Sequence, residues 1–223
     1  MKKAVVLLSG GLDSTTCMSV AHQEGYEIYP VSFDYGQRHS RELDCAIKVA
    51  EFYQVREHKI LKLANVGGSA LTDPDIAVPE YQGDGNIPVT YVPARNILFL
   101  SYALGYAEVV GAESIFIGVS AVDYSGYPDC RPEFIQAFQQ VINVGTKTGV
   151  EGKPIQVVTP LINLTKGETV SLAHRNGAPL ELTTSCYKGG EKACGICDSC
   201  RLRLKGFEDA GLTDPVPYFL DIK

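Results

Sequence analysis

The sequence predicts an α/β fold: an open, mostly parallel, twisted sheet with helices on both faces, carrying a four-cysteine segment near its C-terminal end. Three observations predict it. Short apolar stretches alternate with helical patterns along most of the chain, which is how successive strand–helix–strand units read. The opening stretch KKAVVLLS is apolar without alternation, as a strand buried on both faces must be. Glycine, proline or a capping residue punctuates the segments where helices should start and stop.

Taken in order, residues 13–24 carry a helical pattern that ends near Gly25. EIYPVSFD, residues 27–34, reads as the second strand, although Pro30 argues against full pairing at its middle. Residues 38–53 form an amphipathic helix with Leu43, Ile47, Val49 and Ala50 turned inward. REHKILKL is a third strand, and the Gly-, Pro- and Asp-rich stretch 64–92 is long for a connection and so reads as either functional or partly mobile. A helix from Arg95 to Val110 closes at Gly111, and ESIFIGVS is the fourth strand. Pro132 starts a helix that runs to about Thr146, and IQVVTP is the fifth strand. Thr165-Lys166-Gly167-Glu168 fits a capping box before a helix to Arg175. A last helix follows Cys200, with Leu202, Leu204 and Phe207 needing cover.

The length of 223 residues suits a single domain over residues 1–223, with the cysteine segment 186–200 inside it. No apolar run approaches the ~20 residues that span a bilayer, and MKKAVVLLSGG lacks the longer apolar core of a signal peptide. The chain therefore reads as cytoplasmic, with no membrane partner. A net charge of −6 speaks against a broad contact with nucleic acid, which wants a basic face. A small-molecule substrate is favoured.

Ligands of such sheets bind beyond the carboxyl ends of the strands, and polar strings cluster there. SGGLDST, residues 9–15, ends the first strand: Gly10 and Gly11 let the backbone approach an anion, the following helix adds its positive end, and Ser9, Ser14 and Thr15 supply hydroxyls. The lysine of the phosphate loop GxxxxGK[ST] is absent. Asp13 beside a phosphate would repel it unless the carboxylate holds Mg²⁺ or caps the helix. SFDYGQRHSRE, residues 32–42, follows the second strand with Asp34, Gln37, Arg38 and His39; VPARN sets Arg95 and Asn96 at a helix start. SAVDYSGYPDCRPEF, residues 120–134, carries Asp123, Tyr124, Asp129 and Arg131, and Lys166 opens the helix after the fifth strand. Any one of these strings could be an ordinary surface turn; their concentration at successive strand ends points to a site.

Cys186, Cys194, Cys197 and Cys200 fall within fifteen residues, while Cys17, Cys45 and Cys130 are scattered. Four thiolates at this spacing suit a closed tetrahedral zinc site with a structural role. CxxCxxC also occurs in iron–sulfur ligation, and a redox pair or plain buried thiols are the remaining readings.

SGGLDST resembles the PP-loop of the N-type ATP pyrophosphatases, motif SGGxDS. That family grips the β- and γ-phosphates of ATP as a leaving pyrophosphate while the substrate attacks the α-phosphorus, which accounts for the missing lysine. SGGLDST, SFDYGQRH, VPARN, AVDYSGYPDCRPEF and the final C-x7-CxxCxxC, in this order, resemble the 7-cyano-7-deazaguanine synthase family from Leu7 to Cys200. One departure is Ser120, where that family's string carries asparagine. The resemblance implies an adenine-nucleotide α-hydrolase-like fold and an ATP-dependent ligase. It would convert 7-carboxy-7-deazaguanine and ammonia to the nitrile, on the route to queuosine.

The resemblance also implies residue roles. Leu8, Ser9, Gly10, Gly11, Leu12, Asp13, Ser14, Thr15 and Thr16 would bind ATP, with Asp13 toward Mg²⁺. Asp13, Ser14, Arg95 and Lys166 would assist catalysis. Asp34, Asp123, Tyr124, Asp129 and Arg131 would face the deazaguanine, and the four clustered cysteines would hold one zinc ion. Ammonia would be the nucleophile, supplied free or by a partner, and the 132–146 helix could pack against a copy of itself in a homodimer. Two rivals stand beside this reading: a PP-loop tRNA-modifying enzyme of the thiouridine or lysidine synthase kind, and a zinc-ribbon nucleic-acid-binding module.

Overall fold

A computed structural model of the chain describes residues 1–37, 40–64, 67–73, 75–77, 87–120 and 126–219. Its centre is a five-stranded parallel sheet: β1 (Lys3–Leu7), β2 (Glu27–Asp34), β3 (Lys59–Lys62), β4 (Ser114–Phe116) and β5 (Gln156–Val158). The strand order is β3-β2-β1-β4-β5, with Val5 opposite Tyr29 on one side and Ile115 on the other. The chain builds outward from β1 to β3 and then returns to lay β4 on the other flank. That reversal places the topological switch point between β1 and β4, where a crevice opens.

Seven helices surround the sheet among the described residues: α1 (Leu12–Gln23), α2 (Arg41–Phe52), α3 (Arg95–Val110), α4 (Pro132–Gly145), α5 (Lys147–Val150), α6 (Lys166–Arg175) and α7 (Asp198–Asp209). Val5 and Leu7 face a core with Leu100, Leu104, Phe138 and Ile142 of α3 and α4. Ala4, Val6 and Leu8 face the opposite core with Met18, Ala21, Ala46 and Val49 of α1 and α2. This two-sided burial is why β1 shows no polar alternation. Fully covering Val5 and Val6 contributes about 1.5–3 kcal/mol each.

Pro30 sits inside β2 without breaking it. The Leu8 N–H donates to the Val31 carbonyl at 2.9 Å, so Val31 faces β1 and its neighbour Pro30 faces the other side. There the β3 ladder begins only at Val31–Lys59, so no hydrogen bond is lost.

Helix limits follow the sequence closely: α3 closes at Gly111 (φ +68°), and α6 opens on a complete Thr165–Glu168 capping box. Two inward faces differ from expectation. In α2 the buried residues are Cys45, Ala46, Val49 and Ala50, while Ile47 is exposed. The phosphate loop packs on the 42–46 side and rotates that face inward. In α7, Leu202 is exposed and Arg203 is buried beside Phe207. That helix also begins before Cys200 rather than after it. No described helix is long and apolar enough to cross a membrane.

Candidate active site

A cleft of about 260 Å³ opens beyond the carboxyl ends of β1, β2 and β4. Its floor is the loop after β1. Gly10 turns at φ +80°, and a Cβ there would strike the Glu42 carbonyl and sit 2.6 Å from the Ala46 nitrogen. Only glycine lets the loop lie against the first turns of α2. The Ser9 and Ser14 hydroxyls lie 3.0 Å apart, and Ser14 Oγ donates to the Gly11 carbonyl at 3.2 Å while accepting from Ser9 N–H at 3.2 Å. Gly11 is the N-cap of α1 and offers no side-chain bond, so backbone N–H groups at the positive end of the helix are left for the cleft, with Asp13 in the same first turn.

Opposite the loop, Lys166 is the first residue of α6. Its Nζ donates to both carboxylate oxygens of Asp13, at 2.9 and 2.8 Å. The lysine side chain is 13% exposed and the aspartate 27%, so the pair is partly desolvated and faces the cavity. The capping box next to it fixes where the lysine starts.

On the other side stands Arg95, the first residue of α3. Ala94 before it is left-handed (φ 55°) and caps nothing; Asp129 does that work, accepting from Asn96 N–H at 2.9 Å. The Asn96 amide also donates to the Asp129 carbonyl at 3.1 Å. Burial works against the charge of Arg95, but Tyr35, Cys130 and Asp129 more than offset it, and the guanidinium stays firmly protonated. Burial pushes the Tyr35 phenol up, with Arg95 pulling partly the other way, so it remains neutral and hydrogen-bonded to Arg95. Phe33 and Phe99 stack beside it with centroids 4.0 Å apart. The cleft thus joins an anion-binding loop and two cations to an aromatic side, which suits a nucleotide and a second planar molecule.

The third wall belongs to the C-terminal part. The Sγ atoms of Cys186, Cys194, Cys197 and Cys200 all lie within 4.8 Å of one another, with Cys194 and Cys200 at 3.9 Å. Tetrahedral thiolates around one ion with bonds of about 2.3 Å lie about 3.8 Å apart, so the four fit a single metal ion. Hydrogen bonds from Cys197 and Cys200 hold Cys186 below the ordinary thiol range, and the bond with Cys186 pushes Cys197 up to about 11.

A family model described as queuosine biosynthesis protein QueC matches residues 3–211. The chain belongs to this family. It is 72% identical over 98% of its length to a Desulfitobacterium hafniense protein named 7-cyano-7-deazaguanine synthase, of which it covers 94%. It is 69% identical, over 98% of each chain, to an Acetivibrio thermocellus protein of the same name. An NMN synthetase from Francisella tularensis shares the fold at a TM-score of 0.51 and 15% identity, over 95% of this chain and 78% of that one. The names of these relatives do not favour a tRNA-modifying PP-loop enzyme.

Within this QueC-family chain the expected site residues divide. Leu8, Ser9, Gly11, Leu12, Asp13, Ser14, Arg95 and Lys166 line the cleft together, and Gly10 shapes the turn beneath it. Thr15 and Thr16 do not: both are wholly buried in α1, and Thr16 Oγ1 donates to the Leu12 carbonyl at 2.8 Å. Asp34 is half-buried beside the cleft, its Oδ1 3.5 Å from Gly36 N, while its neighbours Phe33 and Tyr35 line the cavity. In an extended segment successive side chains alternate, so Asp34 turns away from the cleft that its two neighbours line. Asp129 is engaged in capping α3, and Arg131 is exposed at the N-cap of α4; neither lines the cleft. Asp123, Tyr124, Arg38 and His39 lie outside the described residues. Sequence reasoning missed Tyr35, Phe99, Thr184, Ser185 and Arg203 as lining residues. Tyr35 was within reach of the alternation; Arg203 gave no local signal.

Proposed function

We propose that this chain is an ATP-dependent ligase that converts 7-carboxy-7-deazaguanine and ammonia to 7-cyano-7-deazaguanine. The observation that carries the reading is one cleft in which a PP-loop, the Asp13–Lys166 pair and Arg95 face an aromatic wall. The relatives' shared name supplies the substrate class. Bonds change as follows. A carboxylate oxygen of the acid attacks the α-phosphorus of ATP, and the bond to pyrophosphate breaks. Ammonia adds to the acyl carbon, AMP leaves and a proton passes to solvent, giving the amide. The amide oxygen attacks a second ATP and displaces pyrophosphate. Loss of AMP and the remaining N–H protons leaves the C≡N bond.

In this scheme the loop N–H groups, with Ser9 and Ser14, hold the departing phosphates, whose charge grows as the α-phosphorus bond breaks. Lys166 turns from Asp13 to a phosphate oxygen, and the freed Asp13 carboxylate would hold Mg²⁺, which supplies charge neutralisation on the phosphates. Arg95 stabilises negative charge at the attacking end, and Phe33, Tyr35 and Phe99 cover the planar ring. The four thiolates would hold one structural zinc ion, leaving no open position for catalysis. The whole chain acts as one ATP pyrophosphatase-like unit on small molecules, without nucleic acid. Val109, Val141, Val144 and Val150 stay largely exposed on α3, α4 and α5 and offer a second copy an apolar face.

The test is mass spectrometry of a reaction holding protein, the acid, ATP, Mg²⁺ and an ammonium salt. The nitrile and AMP should appear together; ADP in place of AMP would overturn attack at the α-phosphorus. An unchanged acid would overturn the substrate.

A further inference from the structure

Arg203 lies inside the protein, 2% exposed, at the edge of the cleft it helps to line. Its donors are engaged all round. Nε and Nη2 grip Asp214 at 2.8 and 3.0 Å, Nη1 reaches Thr183 Oγ1 at 2.7 Å and Ser185 Oγ at 3.4 Å, and Nη2 reaches the Leu180 carbonyl at 3.2 Å. Both charges of the Arg203–Asp214 pair are 3% exposed. Tyr218 adds a third partner, donating to Asp214 at 2.6 Å. A buried pair this fully bonded is poor evidence of added stability, because desolvation offsets most of its attraction. What it does fix is geometry.

The segment it grips is the one that backs the phosphate loop. Thr184 N–H donates to the Gly10 carbonyl at 3.0 Å, and a Cβ on Gly11 would lie 3.4 Å from the Thr184 carbonyl. Thr184 is thus the outer support of the two glycines, and its neighbours on either side, Thr183 and Ser185, are the residues Arg203 holds. The same helix seats the lysine: a Cβ on Gly206 would meet Lys166 Cγ at 2.6 Å, so α7 lies directly against the stem that carries Nζ to Asp13.

We infer that Arg203, with Asp214, is a positioning residue for ATP: it holds the Thr183–Ser185 strap against the phosphate loop and thereby sets affinity for the nucleotide. The inference rests on the cleft being the ATP site. It gives the C-terminal segment a role in nucleotide binding that the thiolate cluster alone does not explain.

Removing one charge would strand the other in the core, so the informative variant is Arg203→Met with Asp214→Leu, which removes both and keeps the volume. Thr183→Val leaves the ion pair in place and removes the hydroxyl that accepts from Arg203 and donates to the Leu180 carbonyl at 2.7 Å. Wild type and both variants are compared by calorimetric titration with the non-hydrolysable analogue α,β-methylene-ATP and Mg²⁺, and separately with 7-carboxy-7-deazaguanine. Bound metal and melting temperature are recorded for each. The expected result is a tenfold or greater loss of nucleotide affinity in the double variant and a smaller loss in Thr183→Val. Affinity for the acid, metal content and melting temperature should hold. Nucleotide affinity within twofold of wild type in the double variant would overturn the inference. So would a loss that merely tracks lost metal or a lowered melting temperature, since Arg203 would then be a fold element only. Failure of the wild type itself to bind the nucleotide would remove the ATP site, a different outcome from either.

Discussion

The two walls of the cleft that meet at Thr184 and Gly10 are built on opposite principles. The phosphate loop is made from backbone and short hydroxyls close together in sequence: Ser9, Gly11 and Ser14 satisfy one another within six residues. The C-terminal wall is made from groups far apart and charged: thiols at 186–200, a guanidinium at 203, a carboxylate at 214 and a phenol at 218. The loop keeps its shape through neutral contacts and lends its N–H groups to whatever anion arrives. The C-terminal wall has little core of its own, with Cys186, Ala193, Cys197 and Cys200 at its centre, and must be tied. The difference teaches that the site's chemistry and its rigidity come from different parts of the chain. Perturbations should therefore separate them.

The largest effect should be chemical and confined to the loop side. Asp13→Asn keeps the shape of the side chain but removes the partner of Lys166 and the carboxylate that would meet the metal on ATP. Turnover should fall roughly 1,000-fold, the upper end for losing one preorganised electrostatic contact. The melting temperature should move by no more than a few degrees, because the pair is partly exposed. Steady-state rates and a thermal melt check both halves; near-normal turnover would take Asp13 out of the mechanism.

Gly10→Ala attacks the same wall through shape. The added methyl meets the Glu42 carbonyl and the Ala46 nitrogen, backbone atoms that cannot swing aside, at a left-handed φ. Together these should cost about 3–5 kcal/mol, lowering the melting temperature by roughly 10 °C for a chain of this size. Gly25→Ala is the control: φ is +76°, yet nothing lies within 4 Å of the new methyl. It should cost only about 1 kcal/mol. Equal losses from the two would mean that loop packing on α2 is not what Gly10 provides.

On the other wall, a chelator that strips the zinc proposed for the four thiolates should cost about 3 kcal/mol, the scale of losing a well-saturated ligand. The melting temperature should fall by roughly 5–10 °C, with amide exchange rising first in residues 186–200 and in α7. Exchange in β1 and α1 should hold. Loss of protection spread evenly over the sheet would break the division between the walls.

What could be read in advance follows the same division. The sheet, the capping box and the phosphate loop were legible because each is written in consecutive residues: an apolar run, a Thr-x-x-Glu, a Gly-Gly after a strand. The cysteine cluster was legible because thiolates have few other uses at that spacing. Asp129 read as a substrate contact because a carboxylate beyond a strand end looks the same whether it faces a ligand or caps a helix. Only the position of Asn96, thirty-three residues away, decides it. Arg203 was illegible for the same reason: nothing local says that a charged residue of α7 will find Asp214 and the strap. The charged wall is long-range, so its logic appears only in three dimensions.

The smallest effect sharpens the contrast from the loop side, at a polar contact beneath the end of β1. Ser32 Oγ donates to the Leu8 carbonyl at 2.5 Å and lies 2.7 Å from His58 Nε2. With its one proton given to Leu8, Ser32 can only accept from the histidine, which fixes the neutral ring as the Nε2–H tautomer. Burial lowers the His58 pKa below its ordinary value of 6.5. The folded state therefore binds this proton less readily than the unfolded chain does. The contribution is whole above pH 6.5 and declines as pH falls from there through the lowered folded value. Because Nε2 still donates when the ring is charged, the contact to Ser32 survives and the penalty is burial alone. His58→Gln keeps a donor for Ser32 without a titrating group. Its melting temperature should fall less steeply than that of the wild type between pH 7 and pH 5, while the two agree above pH 7. Identical slopes would mean that His58 sits in water when the ring is protonated, and that this support under Leu8 opens with acid.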